Sequence, residues 1–300
     1  MADTLLDRLP PVRGKLQPHV PLGAHVWFQV GGAAQVLFKP EDLDDLAHFL
    51  IHCPADIPRT ILGMGSNVLI RDGGIPGVVI KLGKGFNNIE VSKGKITVGA
   101  GVLDRNVALF AADQGLSGFE YLIGIPGTIG GAIKMNAGAY GQEIKDHLIS
   151  CSGVMPTGAI RTLQRDEITF THRTSDLPTG FIVTSALFRG TPDHPDAIHA
   201  RLRDNMEKRA ASQPIQKGTG GSTFKNPLPH KAWALIDAAD CRGLQIGAAQ
   251  MSEKHCNFMI NKGGATAADL EALGELVRKK VKEQSDITLE WEVQRLGVPS

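Results

Sequence analysis

Three short stretches carry reactive side chains that an apolar core would not hold. Phe170-Thr-His172-Arg173-Thr-Ser175-Asp176 sets a base and a guanidinium among hydroxyls. Gly220-Gly221-Ser222-Thr223-Phe224-Lys225-Asn226-Pro227 places a hydroxyl after two glycines and a cation just beyond it. Leu289-Glu290-Trp291-Glu292-Val293 alternates acids with apolar residues, so in an extended chain Glu290 and Glu292 share one face. A guanidinium can pair an oxyanion, a hydroxyl can hand over a proton, and a carboxyl can do either, depending on its protonation. Each also has an ordinary reading: a surface ion pair for Arg173, a turn hydroxyl for Ser222, a solvated strand face for Glu292. Spacing alone does not assign them a common site.

Two glycine-rich segments stand upstream. One is Gly63-Met-Gly65-Ser66-Asn67, following a short apolar run. The other is Gly124-Ile125-Pro126-Gly127-Thr-Ile-Gly130-Gly131, continuing to Asn136-Ala-Gly138-Ala139. Bare backbone allows close approach of a ligand, and successive N–H groups can cradle a diphosphate. Neither segment has the spacing of a Rossmann fingerprint or a P-loop. On spacing alone, tight turns are the favoured reading and phosphate binding the alternative.

The surrounding elements are mixed. KPEDLDDLAHFL reads as a helix with Pro40 in its first turn and Leu43, Leu46, Ala47 and Leu50 on one face. Ile89 and Val91 answer Ile96 and Val98 across SKGK as a hairpin, and a helix from about Leu103 stops at Gly115. LISCSGVM and FIVTSALF read as strands. Ile198, Leu202 and Met206 mark a helix, as do Trp233, Ile236 and Ala239. CNFMI reads as a strand. Thr266 and Asp269 form a capping box before the stripe Leu270, Leu273, Val277 and Val281, and ITLEWEV, 287–293, reads as a terminal strand. The first 23 residues, with four prolines, read as an arm. Hairpins beside helices favour an α+β chain over an alternating parallel fold.

Composition narrows the functions. The chain has 300 residues, long enough for about two domains. Lys+Arg (32) and Asp+Glu (31) nearly cancel, so no global field draws nucleic acid. No apolar run reaches the ~18 residues of a membrane span. The four cysteines form no CxxC pair and read as small buried hydrophobes. His48 and His52 lack an HExxH acid, so they read as exposed helix residues and no metal site is expected.

In combination, these motifs resemble the UDP-N-acetylenolpyruvoylglucosamine reductase family. The resemblance runs from about Ala24 to Gly297 through Leu62–Leu69, Gly124–Gly131 with Asn136–Gly141, Gly221–Pro227, Ser252-Glu-Lys-His-Cys-Asn-Phe258 and Leu289–Val293. It implies an α+β fold: a two-lobed FAD-binding domain of the vanillyl-alcohol-oxidase type over 1–190, with lobes at about 20–85 and 86–190. A smaller substrate-binding domain follows over 191–300, its terminal strand returning to the active site. It implies FAD and NADPH as cofactors and reduction of UDP-N-acetylglucosamine enolpyruvate to UDP-N-acetylmuramate in peptidoglycan precursor synthesis. It further implies a cytoplasmic monomer that binds neither nucleic acid nor membrane. The alternative is an FAD oxidase of the same fold with another substrate. A non-catalytic binding protein, for a UDP-sugar or for nucleic acid through Arg278–Lys282, is a different class.

Carried over by motif, Arg173, Ser222 and Glu292 would be catalytic. Gly63, Gly65, Ser66, Asn67, Gly124, Ile125, Pro126, Gly127, Gly130, Gly131, Asn136, Gly138 and Ala139 would hold FAD, and Lys225 and Asn226 would meet the substrate. The chemistry expects a raised pKa at Glu292, because an ionised carboxylate would oppose a developing enolate. Two departures from the family pattern stand out. His172 occupies the place of the usual tyrosine before the arginine, and no tyrosine lies between Arg173 and Ser222, as in the family's short form.

Overall fold

A computed structural model describes residues 5–214 and 218–300. Helices and strands are mixed along the chain, the α+β arrangement that the order of periodicities implies. The described residues fall into two compact units. The first is drawn from Met1–Pro18, Val36–Gly63 and Gly77–Lys208, the second from His19–Gln35, Met64–Pro76 and Arg209–Ser300. These units interleave along the chain, where the sequence reading draws a single boundary at 190/191.

In the first unit, five antiparallel strands run in the order Ile160–Gln164, Leu148–Val154, Ile182–Arg189, Lys95–Gly99, Ile89–Ser92. The hairpin expected across SKGK is the edge pair, with Ile89 opposite Val98 and Val91 opposite Ile96. Helices α1 (Leu43–His52), α2 (Asp104–Asp113) and α3 (Ile129–Lys134) belong to this unit. Helix α1 starts later than the proline suggests: Asp42 is the cap and accepts from Asp45 N at 3.0 Å, so Pro40 precedes the helix. Leu46, Phe49 and Leu50 bury its inner face. Gly115 ends α2 at φ 65°, a conformation that costs glycine nothing. Helix α4 (Pro195–Ser212) buries Ile198 and Leu202, but Met206 on the same stripe is exposed, because the apolar core of this unit ends at Leu202.

The second unit has its own core, in which Phe28, Leu69, Phe224, Met251 and Leu289 meet two helices, α5 (Ala232–Ala238) and α6 (Ala267–Ser285). The stripe Leu270, Leu273, Val277 and Val281 is wholly buried. The Thr266–Asp269 capping box forms as the spacing predicts, and Asp72 adds to it by accepting from Ala267 N and Ala268 N at 3.0 and 2.9 Å. On α5, Ile236 is buried but Trp233 is half exposed, so the expected three-residue face is narrower than predicted.

Three further expectations are corrected. Within the expected N-terminal arm, whose first four residues lie outside the described ones, Lys15–Pro21 is instead the first strand of a sheet that continues through Ala33–Lys39, Ile75–Ile80 and Arg59–Ile61. The predicted strand 256–260 is Met259–Asn261, because Cys256 lies in the preceding turn. The terminal strand is Gln294–Leu296, parallel to Val68–Ile70, rather than 287–293. Within 287–293 the alternation of buried and open side chains survives, but the regular ladder does not. Thr223 O accepts from both Glu292 N (2.8 Å) and Val293 N (3.4 Å), two successive amides on one carbonyl, as in a β-bulge. No described helix is long and apolar enough to cross a membrane. The described cysteines are all free and buried.

Candidate active site

Arg173 sits in the first unit at the tip of a two-residue hairpin loop between Phe170–Thr171 and Thr174–Ser175. Its φ of 60° is a left-handed conformation that non-glycine residues adopt at a cost. Such strain persists only where neighbours hold it. Thr169 N donates to Asp176 Oδ1 at 2.7 Å, and Ser175 Oγ donates to Lys134 O at 2.9 Å. Asn136 completes the clamp. It is wholly buried, at φ 42°, and its Nδ2 donates to Thr171 O (3.0 Å) and to Glu143 Oε2 (2.9 Å). The sequence reading groups Asn136 with the cofactor residues; in the structure its side-chain amide bonds the hairpin that carries Arg173 at Thr171 O and the neighbouring strand pair at Glu143. Glu143 also pairs with Lys145 at 2.6 Å. Partial burial pushes its carboxyl up, but hydrogen bonds from Lys145 and Asn136 and the charges of Lys145 and Arg173 outweigh that and hold it below the usual range.

Ser222 and Glu292 both belong to the second unit and are brought together by backbone pairing. Segment 222–225 lies between two others. On one side Ser222 bridges Phe258, and Thr223 N donates to Asn257 O at 2.7 Å. On the other side Phe224 bridges Trp291, Lys225 N donates to Glu290 O at 2.9 Å, and Glu292 N donates to Thr223 O. Asn257 locks the segment by accepting from Phe224 N at 3.0 Å and donating to Phe224 O at 2.8 Å. Ser222 and Glu292 are thus half-buried neighbours on adjoining backbone, one residue out of register.

Asn67 supports the segment of Glu292 as Asn136 supports the hairpin of Arg173. Its Nδ2 donates to Glu292 O at 3.1 Å, and its carbonyl accepts from Gln294 N at 2.9 Å. Sequence reasoning missed that each glycine segment carries an asparagine whose side chain bonds the backbone of a proposed catalytic strand or hairpin. The signal was the residue type, since a buried amide must find several partners.

The glycine segments differ in detail. Gly63 belongs to the first unit, and its carbonyl accepts from Lys81 Nζ. Gly65 and Ser66 belong to the second. Gly65 has φ 67°, and a Cβ there would stand 2.6 Å from Val26 Cγ1, so this glycine is required by the turn itself. In the first unit, the second segment is fastened by Asp104 N to Gly127 O (3.1 Å), Ile129 N to Val102 O (3.0 Å) and Gly130 N to Ala100 O (2.9 Å). Ile125 and Pro126 lie half-buried between Gly124 and Gly127, and Gly138–Ala139 pairs with Gln142–Glu143. Gly131 is exposed, and a Cβ there would meet nothing nearer than Thr128 Oγ1 at 3.9 Å. Uncovered glycine backbone of this kind suits close approach by a dinucleotide, so the residues fit FAD.

Lys225 pairs loosely with Glu290 at 3.4 Å, both exposed, and Asn226 Oδ1 accepts from Ala232 N at the start of α5. A cavity of about 300 Å³ in this unit is lined by Ser212, Trp233, Arg242, Lys254, His255 and Cys256, residues that the sequence reading did not single out as a site. Burial and the charge of Arg242 lower the His255 pKa despite an opposing backbone hydrogen bond. Among the described residues no His, Cys, Asp or Glu cluster could hold a metal.

Comparison with known proteins agrees with this architecture. A family model described as an FAD binding domain matches residues 34–164. The C-terminal domain model of UDP-N-acetylenolpyruvoylglucosamine reductase matches residues 213–296. The Azorhizobium caulinodans protein of that name is 54% identical over 300 residues, covering 100% of this chain and 97% of its own length. The chain belongs to the UDP-N-acetylenolpyruvoylglucosamine reductase family. The Gluconobacter oxydans reductase is 55% identical over 286 residues, covering 95% and 94%. The crystal structure of the Thermus caldophilus reductase matches with TM-score 0.83 at 33% identity, over 96% of this chain and 100% of that one. As a reductase of this family with a flavin-binding domain, the chain is an oxidoreductase flavoenzyme, of the α+β flavin fold that the resemblance implies.

Proposed function

We propose that the chain reduces UDP-N-acetylglucosamine enolpyruvate to UDP-N-acetylmuramate with FAD and NADPH, in peptidoglycan precursor synthesis, as a cytoplasmic monomer. Domain roles follow the motifs: flavin binding over 1–190 and substrate binding over 191–300. The observation that best supports the chemistry is the backbone pairing of segment 222–225, which carries Ser222, with 290–293, which carries Glu292. When bound, FAD supplies the hydride, taken from NADPH and passed to the terminal carbon of the enolpyruvyl group. Arg173 pairs the substrate carboxylate, into which negative charge spreads. Ser222 Oγ–H delivers a proton to the neighbouring carbon. An alcohol is a weak acid, so its position must be fixed, which the Asn257 lock and the Phe258 bridge support. Glu292 assists in stabilising the enol form. Lys225 is held by an exposed ion pair worth about 0–1 kcal/mol, so it is readily released to a substrate phosphate.

Ser222→Ala tests the assignment. Flavin reduction by NADPH should be unchanged in rate, and product formation should fall by about 10²–10⁴-fold. Normal product formation by the variant would remove Ser222 as the proton donor. Flavin that NADPH reduces but UDP-N-acetylglucosamine enolpyruvate does not reoxidise would keep the cofactor and remove the substrate.

A further inference from the structure

Asp104, the first residue of α2, is completely buried, and neither carboxyl oxygen has a hydrogen-bond partner among the described residues. It lies directly behind the second glycine segment. Its backbone N donates to Gly127 O, and a Cβ on Gly127 would stand 2.6 Å from Asp104 Oδ2. Gly127 therefore leaves room for this carboxyl. The Tyr121 hydroxyl, close enough to respond to an Asp104 charge, is also buried and without a partner.

An unpaired carboxylate in such a place costs far more than a neutral acid. The partial positive charge at the start of α2 favours the anion. Burial opposes it and wins, pushing the Asp104 carboxyl well above the usual range although the Gly127 backbone lowers it. Among the described residues no cation is found acting on the Asp104 carboxyl. Tyr121 faces Asp104 from Glu120–Gly124, Glu143 and Asp146 act on Tyr121 with the same sign, and adjacent Arg105 is exposed.

We propose that Asp104 is a positioning residue that seats the Gly124–Gly131 segment for the FAD diphosphate. The proposal rests on the flavin reading above. A neutral acid fills the space behind Gly127 without placing a negative charge behind a diphosphate site. Truncating it leaves the segment unsupported, and an isosteric neutral amide replaces it.

The test uses apoprotein prepared from the full-length holoenzyme, with FAD as the probe. Infrared spectra of wild type minus Asp104→Asn should contain the carbonyl band of a protonated carboxylic acid near neutral pH. FAD titration by flavin fluorescence should give Asp104→Asn a Kd within about twofold of wild type, and Asp104→Ala a Kd weaker by about tenfold or more. Gly127→Ala should weaken binding as well, by crowding the carboxyl. A purely ionised carboxylate in the infrared, an Asn variant as weak as the Ala variant, or an Ala variant as tight as wild type would each overturn the proposal. Wild-type protein that takes up no FAD would overturn the flavin reading, and with it this role for Asp104.

Discussion

Glu271 is the point at which the strand after Glu292 is tied down, and removing it has a calculable effect. Its carboxylate receives Arg71 through two bonds, Nε to Oε2 at 3.0 Å and Nη2 to Oε1 at 2.7 Å. It also receives Arg295 Nη1 at 2.9 Å. Arg295 reaches Glu275 at 3.1 Å and lies 4.7 Å over the Trp291 ring, whose Nε1 donates to Glu275 at 2.9 Å. Arg71 follows Val68–Ile70 and Arg295 lies in Gln294–Leu296, so Glu271 links both strands of the parallel pair to α6. Hydrogen bonds to charged groups are worth about 1.5–3 kcal/mol each when well buried. These side chains are 22–30% exposed, so the guanidiniums rehydrate in part, and Glu271→Ala should cost about 2–3 kcal/mol in total. At ~2–4 °C per kcal/mol for chains of ~200 residues, Tm should fall by roughly 5–10 °C. Hydrogen bonds from Arg71 hold the Glu271 pKa below its ordinary value against some desolvation, and both arginine charges add to that. Its stabilisation is therefore present above the unfolded carboxyl pKa and is lost as pH falls through the lower folded one. The Tm gap between wild type and variant, followed by circular dichroism, should be full at neutral pH and close in acid. A gap under about 1–2 °C at neutral pH, equivalent to ~0.5 kcal/mol, or one that does not shrink in acid, would refute the reasoning and mark the network as solvent-screened.

Other outcomes follow from neighbouring features. Asn136→Ala strips Thr171 O and Glu143 of a buried donor and should cost about 1–3 kcal/mol, with kcat falling more than NADPH-dependent flavin reduction as the Arg173 hairpin loosens; stopped-flow separates the two. Asp104→Asn should raise Tm most at alkaline pH and least near pH 4, since a raised folded pKa makes stability fall as pH rises through it. The Cys151 thiol, pushed up to about 11 by burial, should resist thiol reagents in native protein and react once urea unfolds it. Asp72→Ala removes an acceptor from two first-turn amides of α6 and should cost about 0.5–2 kcal/mol in urea melts.

Local rules made much of this fold readable. The α6 stripe and capping box, the Ile89–Val98 hairpin and the glycine stop of α2 depend on residues a few positions apart. The failures are long-range. ITLEWEV has the alternation of a strand, yet its pairing is broken by a doubled contact to Thr223 O that only the folded chain supplies. Trp233 lies on an apolar stripe, but that end of α5 borders a cavity and not the core. The candidate site was legible as motifs, while its supports were not. Asn67 and Asn136 read as cofactor residues without their hydrogen bonds to the 292 backbone and the 170–175 hairpin, and Asp104 is not singled out, because these partners and this burial come from distant segments.

Asn67 and Glu292 are bonded 225 positions apart, and Val68–Ile70 finds its strand partner only at Gln294–Leu296. A growing chain emerging from the ribosome therefore holds these early strands without partners until almost the last residue is made. Such non-local pairing slows folding, and it leaves an open β-edge on the nascent chain for as long as it waits. A fragment beginning at Arg209 would lack both the Val68–Ile70 strand and the Asp72 cap, so the C-terminal half cannot be expressed alone as a faithful copy of its unit. Splitting the gene would require co-expressed halves that reassemble, and chaperone demand during synthesis should exceed that of a protein whose two units were laid out one after the other.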